Sequence, residues 1–284
     1  MNIQKEEIIT KIENIQPFPA VLSRLFALLD DPNVDYDKIE EIVRLDAGLS
    51  AQILRECNSP FWGLNRRIIS LKEAINYLGT RQLRNIVLFS GAVPYLCKPM
   101  SGYEERHGEL LRHSFAVAFL AQTISDDFPM ADRSLVFISG LLHDIGKLVL
   151  NQFVLDHLSE IIERSKQQQI VFAAAEKQFF NIDHSQIGGM LLREWNFPDD
   201  IVFIVENHHN VRNVKFNLEL SLVAYANQLC HVAGISTFID GVPTKDLPYL
   251  SKQLQLEETA AEKYLAGFLE EIEKFDAVIQ TIVH

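Results

Sequence analysis

The chain has 284 residues, of which 48% are hydrophobic and 23% charged, so it is long enough for one large or two modest domains with a buried core. A formal net charge of −12 repels phosphate backbones and argues against nucleic acid as a partner. No apolar run approaches the roughly 20 residues of a membrane span, and the charged N-terminus is unlike a signal peptide.

Almost every segment has helical periodicity, without sustained alternation of apolar and polar residues, so the sequence predicts an all-α fold. Asp35 predicts the N-cap of a helix with an apolar stripe at i, i+3 and i+4. Ser70 and Glu73 have the spacing of a capping box, and Gly79 predicts the end of the helix that this box begins.

Proline and glycine residues then interrupt the helical pattern over residues 93–103. This interruption predicts two parts, residues 1–100 and residues 101–284. The helices predicted after it are roughly 104–125, 134–143, 155–167, 184–195, 199–209 and 217–233, followed by an amphipathic tail from about 258. We expect the tail to pack on its own domain, with a homodimer contact as the alternative.

The pair His143 and Asp144 ends the apolar helix LVFISGLLHD and is followed by Gly146 and Lys147. Such a pair offers a nitrogen donor and an anionic oxygen to one point, and the glycine lets the chain turn away. These residue types predict a metal site. The alternative is a buried histidine whose charge an aspartate balances.

Three further residues on predicted helices are candidates for the same site. Glu109 and His113 are four residues apart and therefore share a helix face, either as two ligands, as a ligand and its orienting carboxylate, or as an exposed pair. His184 lies in a first helical turn behind Asp183, which can cap the helix. A cationic imidazole is disfavoured there, so a neutral metal ligand is preferred to a surface residue.

His208 and His209 end the helix PDDIVFIVENHH. The periodicity puts His208 on the apolar face and His209 about 100° away from it. His208 is therefore a core residue or a ligand, and two adjacent histidines at a helix end can flank one site.

The residues of this series resemble the metal-site series of the HD superfamily, most closely its two-metal members, which include the HD-GYP phosphodiesterases. The series is His113, His143 with Asp144, His184, and His208 with His209, and Glu109 matches a ligand position of some members. The stretches IQPFPAVLSRLFALLDDP, EIVRLDAGLSAQILRECNSPFWG and ISLKEAINYLGTRQLRNIVL resemble the HDOD domain of bacterial signalling proteins over about residues 14–210. This resemblance implies an N-terminal helical subdomain packed on an HD-type helical bundle.

Two features depart from the HD pattern. Asn227 stands in LVAYANQLC, where HD proteins usually have an aspartate, and its amide supplies a metal with an oxygen but no charge. No Gly-Tyr-Pro loop follows His209, so hydrolysis of cyclic di-GMP in the HD-GYP manner is not expected.

The resemblance implies a regulatory protein with one or two divalent transition-metal ions (Fe, Mn or Zn), held by the series together with Glu109 and Asn227. As an enzyme it would be a metal-dependent phosphohydrolase, with Asp144 at the ions and Lys147 neutralising a phosphate. The alternatives are a non-catalytic protein-interaction or ligand-sensing module and a di-iron oxygenase. The expected partner is a signalling protein or a phosphorylated small molecule such as a nucleotide. Three dispersed cysteines favour a cytoplasmic location.

Overall fold

The polypeptide is described by a computed structural model that covers residues 5–29, 31, 33–58, 66–237 and 246–283. Fourteen helices and no strands are present in these residues, which confirms the all-α prediction. The helices are α1 (Lys5–Glu13), α2 (Ala20–Leu29), α3 (Tyr36–Val43), α4 (Ala47–Cys57), α5 (Leu71–Leu96), α6 (Glu109–Ser125), α7 (Arg133–Leu142), α8 (Lys147–Gln168), α9 (Phe172–Phe180), α10 (His184–Glu194), α11 (Asp199–Asn207), α12 (Leu218–Val232), α13 (Leu247–Gln253) and α14 (Ala260–Val283).

Several helices begin where the sequence placed their caps. The Asp35 carboxylate accepts a hydrogen bond from the backbone N–H of Asp37, and the Asp183 carboxylate accepts one from that of Gln186. Gly79 adopts φ +71°, so the first part of α5 stops there as predicted, although helical structure resumes and continues to Leu96.

The chain divides into a smaller unit, residues 16–92, and a larger unit, residues 1–15 and 93–284. In the smaller unit, the Asn58 side chain exchanges two hydrogen bonds of 2.7 Å with the backbone of Ile68, which ties the end of α4 to the segment before α5. Residues 59–65, which include the last five residues of the stretch EIVRLDAGLSAQILRECNSPFWG, lie outside the described residues.

The larger unit is built around α6, in which 11 of 17 residues are buried and against which α7, α12 and α14 pack. Helix α14 contacts α6 through stacking of Phe268 on Phe119, and the Tyr264 hydroxyl donates a 2.8 Å hydrogen bond to Asp127 just after α6. The described part of the tail thus packs on its own unit. Around α6, the ends of α7 and α11 and the beginnings of α8 and α10 converge on one buried point.

Among the described residues, one stretch is long and apolar enough to cross a membrane, residues 133–168. It consists of α7 and α8, and 78% of its most apolar window is buried inside the fold, as in the core helices of a globular protein.

Candidate metal centre

Asp144 lies at the point where these helix ends meet, with its side chain buried. The Nε2 atoms of four buried histidines surround its two carboxylate oxygens. Oδ1 lies 3.1 Å from His184 and 3.7 Å from His208. Oδ2 lies 3.3 Å from His143 and 3.6 Å from His113. The carboxylate therefore has imidazole nitrogens on both of its oxygens.

The far ring nitrogens of three of these histidines are held by backbone carbonyl groups. Nδ1 lies 2.7 Å from a carbonyl oxygen in each of His113, His143 and His208. The acceptors belong to Ile235, Gly140 and Val205, respectively. A carbonyl only accepts, so each Nδ1 carries the hydrogen, and the lone pair of the neutral ring is on the Nε2 that faces Asp144.

These three Nε2 atoms and the Asn227 Oδ1 are buried and have no hydrogen-bond partner among the described residues. Burying several lone pairs without partners is unfavourable, whereas a cation among them would satisfy them together. Imidazoles whose Nδ1–H is bound to a carbonyl are also the usual form of metal-ligating histidine. The donor set therefore fits a metal ion.

Two groups of ligand atoms, each within 4.8 Å of one another, share Asp144. One group comprises Asp144, His184, His208 and His209, and the other comprises His113, His143 and Asp144. Asp144 is therefore a candidate ligand in both groups.

His184 is oriented by Glu176, a fully buried residue of α9 that the sequence did not suggest. Glu176 Oε2 accepts hydrogen bonds from the His184 backbone N–H (2.9 Å) and from Nδ1 (2.7 Å). Its Oε1 accepts one from the Tyr103 hydroxyl at 2.6 Å. Helix α9 was not among the predicted helices, and no sequence signal marked Glu176.

Lys147 and Asn227 adjoin the cluster. The buried Lys147 Nζ lies 2.8 Å from Asp144 Oδ2 and donates to Thr237 Oγ1 at 3.2 Å. With His209, these residues line a space of about 20 Å³, room for little more than one water molecule. His231, which is not among the predicted ligands, also lines it.

Glu109 is the one predicted ligand that the structure does not bring to the cluster. Its carboxylate accepts a hydrogen bond from the Glu105 backbone N–H at 3.0 Å and lines a separate pocket with Arg106 and Arg112. The i, i+4 spacing put Glu109 and His113 on one helix face, but Glu109 begins α6 at its outer end, where its carboxylate serves the preceding turn.

Burial and neighbouring charges set the protonation of the cluster. Burial, reinforced by His143, lowers the pKa of His113 to about 3. Burial and adjacent imidazoles likewise lower the pKa of His208 and His209 well below the usual value. Burial opposes the charge of Asp144, but the charges of its neighbours, the Lys147 ammonium among them, outweigh burial and hold the Asp144 pKa well below its usual range.

His184 differs from the other histidines. Burial lowers its pKa, but the Glu176 and Asp144 carboxylates outweigh burial and raise the pKa to about 10. A proton on Nε2 of this ring therefore has to leave before a cation can bind there.

Comparisons with known proteins agree with the fold. The HDOD domain family model matches residues 15–211. The crystal structure of an HDOD domain protein of unknown function from Geobacter sulfurreducens superposes with a TM-score of 0.73 at 22% identity, over 98% of both chains.

Two curated relatives match in sequence. A protein of Treponema pallidum described as uncharacterised is 24% identical over 257 residues, which are 89% of this chain and 50% of that protein. The cyclic di-GMP phosphodiesterase CdgJ of Vibrio cholerae is 35% identical over 83 residues, 29% of this chain and 19% of that protein. The chain thus spans half or less of the length of the curated relatives it matches.

Proposed function

Since the chain belongs to the HDOD family of signalling proteins, we propose that it is a metal-dependent regulatory protein whose buried cluster holds one or two divalent transition-metal ions. The observation that carries this proposal is a set of three buried histidines around one carboxylate. Each of them donates its Nδ1–H to a backbone carbonyl, and its Nε2 has no hydrogen-bond partner among the described residues. Mixed imidazole and carboxylate donors favour Fe, Mn or Zn over Mg or Ca.

In this proposal His113, His143 and Asp144 would hold one ion, and Asp144, His184, His208 and His209 would hold the other. Glu176 keeps His184 oriented by accepting its Nδ1–H. We also propose a cytoplasmic site of action, with which the three unpaired cysteines are in keeping, and a signalling protein as the partner there.

Elemental analysis of protein purified without a metal-affinity tag tests the proposal. We expect near-stoichiometric transition metal in the native protein and in the control His157→Gln, whose histidine lies outside the cluster, and loss of metal in His143→Ala. A helical far-ultraviolet circular dichroism spectrum of His143→Ala separates metal loss from unfolding. Native protein without metal, or His143→Ala with unchanged metal content, would refute a metal centre.

Hydrolysis of a phosphate ester is the second candidate, favoured by the position of Lys147. Its buried ammonium lies beside Asp144, next to the space that Asn227 and His209 also line, where it can neutralise a phosphoryl oxygen. When bound, the ions supply Lewis-acid chemistry that polarises a phosphate and lowers the pKa of a water. The Asn227 Oδ1 offers a hydrogen-bond acceptor there but adds no charge.

Regulation by metal and hydrolysis of a phosphate ester differ in whether the protein turns over a substrate. A screen of phosphomonoesters, nucleotides and cyclic dinucleotides with native protein, Lys147→Met and Asn227→Asp decides between them. Turnover by native protein that Lys147→Met abolishes supports hydrolysis. Turnover that appears only in Asn227→Asp shows that the native protein is a disabled enzyme, and the regulatory role then stands for the native protein.

A further inference from the structure

The loop after α12, residues 234–237, is hydrogen-bonded to two residues of the metal centre. The Ile235 carbonyl oxygen accepts from His113 Nδ1 at 2.7 Å, and the Thr237 hydroxyl accepts from Lys147 Nζ at 3.2 Å. Both His113 and Lys147 are buried. The position of this loop therefore sets the orientation of one candidate ligand and contributes to holding the buried ammonium.

The other face of the same loop lines a pocket of about 490 Å³, within the usual range of small-molecule sites. Gly234, Ile235 and Ser236 form one wall. The beginning of α6, with Arg106 and the outward-facing Glu109, and the Arg112–Asp276 pair of α6 and α14 form the others. This pocket shares no lining residue with the space beside Asp144.

The charges of the pocket indicate what it would bind. Two guanidinium groups face two carboxylates, so a polyanion is disfavoured. Asp276 is engaged by Arg112 Nε at 2.6 Å and Nη2 at 2.9 Å, and Glu109 by the Glu105 backbone N–H. The exposed Arg106 guanidinium has no hydrogen-bond or ion-pair partner within the described chain. A ligand with one phosphate for Arg106, and with hydroxyl or amino groups for the carboxylates, complements this arrangement.

We propose that this pocket binds an organic phosphate of about nucleoside-monophosphate size and that its occupancy changes the metal affinity of the centre through the 234–237 loop. The binding step stands on the pocket alone, whereas the coupling rests on the proposed metal centre. A ligand that contacts Gly234 or Ser236 displaces the Ile235 carbonyl and with it the acceptor of His113. By linkage, the factor by which the ligand changes metal affinity equals the factor by which metal changes ligand affinity.

Calorimetric titration of the full chain with AMP tests the binding step. Chelator-treated protein is used, so that the phosphate has no metal ion to bind. We expect AMP to bind, adenosine not to bind, and Arg106→Ala to weaken AMP binding about tenfold or more. The exposed Arg81→Ala in the smaller unit is the matched control and keeps native affinity. Any one of three results would refute phosphate binding in this pocket: no AMP binding, equal binding of adenosine, or native AMP affinity in Arg106→Ala.

The coupling is tested by measuring Zn²⁺ affinity against a chromophoric chelator with and without saturating AMP. We expect a change of about fivefold or more in native protein and none in Arg106→Ala. If AMP binds in an Arg106-dependent way but Zn²⁺ affinity is unchanged, the coupling is refuted and the proposal that the pocket binds AMP stands. Protein that binds no metal refutes the proposed function, while the titration of metal-free protein still decides whether the pocket binds AMP.

Discussion

Replacing Glu176 by glutamine removes a buried negative charge from behind His184 and keeps an oxygen in place to accept from its Nδ1. In the metal-free protein the carboxylate helps raise the His184 pKa from 6.5 to about 10. Because the folded-state pKa is raised, the stabilisation is fully present below pH 6.5 and is lost as the pH rises through 10.

The size of the effect follows from the shift. One pKa unit corresponds to about 1.4 kcal/mol, so the full stabilisation is on the order of 5 kcal/mol, of which roughly 3 kcal/mol remains at pH 8. Asp144 Oδ1, 3.1 Å from His184 Nε2, supplies part of the shift and is retained in the variant. We therefore expect Glu176→Gln to lose about half, roughly 2 kcal/mol near pH 6.5.

Urea unfolding of chelator-treated protein between pH 6.5 and 9.5 measures this effect. Because the pKa values of His113, His208 and His209 are lowered on folding, these histidines make the free energy of unfolding rise with pH only up to about pH 6.5. Above that pH, His184 is the cluster histidine that determines how stability changes with pH. Native protein should lose stability as the pH rises, and Glu176→Gln should show a shallower slope.

The exposed Glu194→Gln, on α10 like His184, is the matched control and should follow the native profile. A slope in Glu176→Gln equal to that of native protein, or native stability that rises with pH across the window, would refute the role assigned to Glu176.

Two further changes have defined outcomes. Asn227→Asp places a second carboxylate near Asp144, so it should destabilise the metal-free protein. It should also tighten Zn²⁺ binding about tenfold or more, measured by chelator competition. Unchanged Zn²⁺ affinity would exclude Asn227 from the site. Gly146→Ala would overlap the His184 carbonyl oxygen, so thermal unfolding should show a loss of about 3 kcal/mol or more. The control Gly267→Ala, in α14 with nothing within 4 Å of the added Cβ, should be neutral or stabilising, and equal melting temperatures for the two would contradict the packing argument.

The sequence determined the features that depend on short-range chemistry. Helical periodicity and capping residues act within a few residues, so the sequence alone predicted α3 behind Asp35 and, behind Asp183, the helix α10 on which His184 lies. The hydrogen bonds of His143 to Gly140 and of His208 to Val205 are also local, three residues apart in each case. The three N-terminal stretches were enough to suggest the HDOD family, which the family match over residues 15–211 confirms.

The tertiary structure decided what depends on distant partners. His113 is bound by the carbonyl of Ile235, 122 residues away, and the residue behind His184 is Glu176 of an unpredicted helix. Glu109 satisfied the predicted spacing but faces another pocket, because a residue at the first position of a helix serves the preceding turn. Spacing along a helix fixes the face on which a side chain lies; what that face meets is determined by the packing of the other helices.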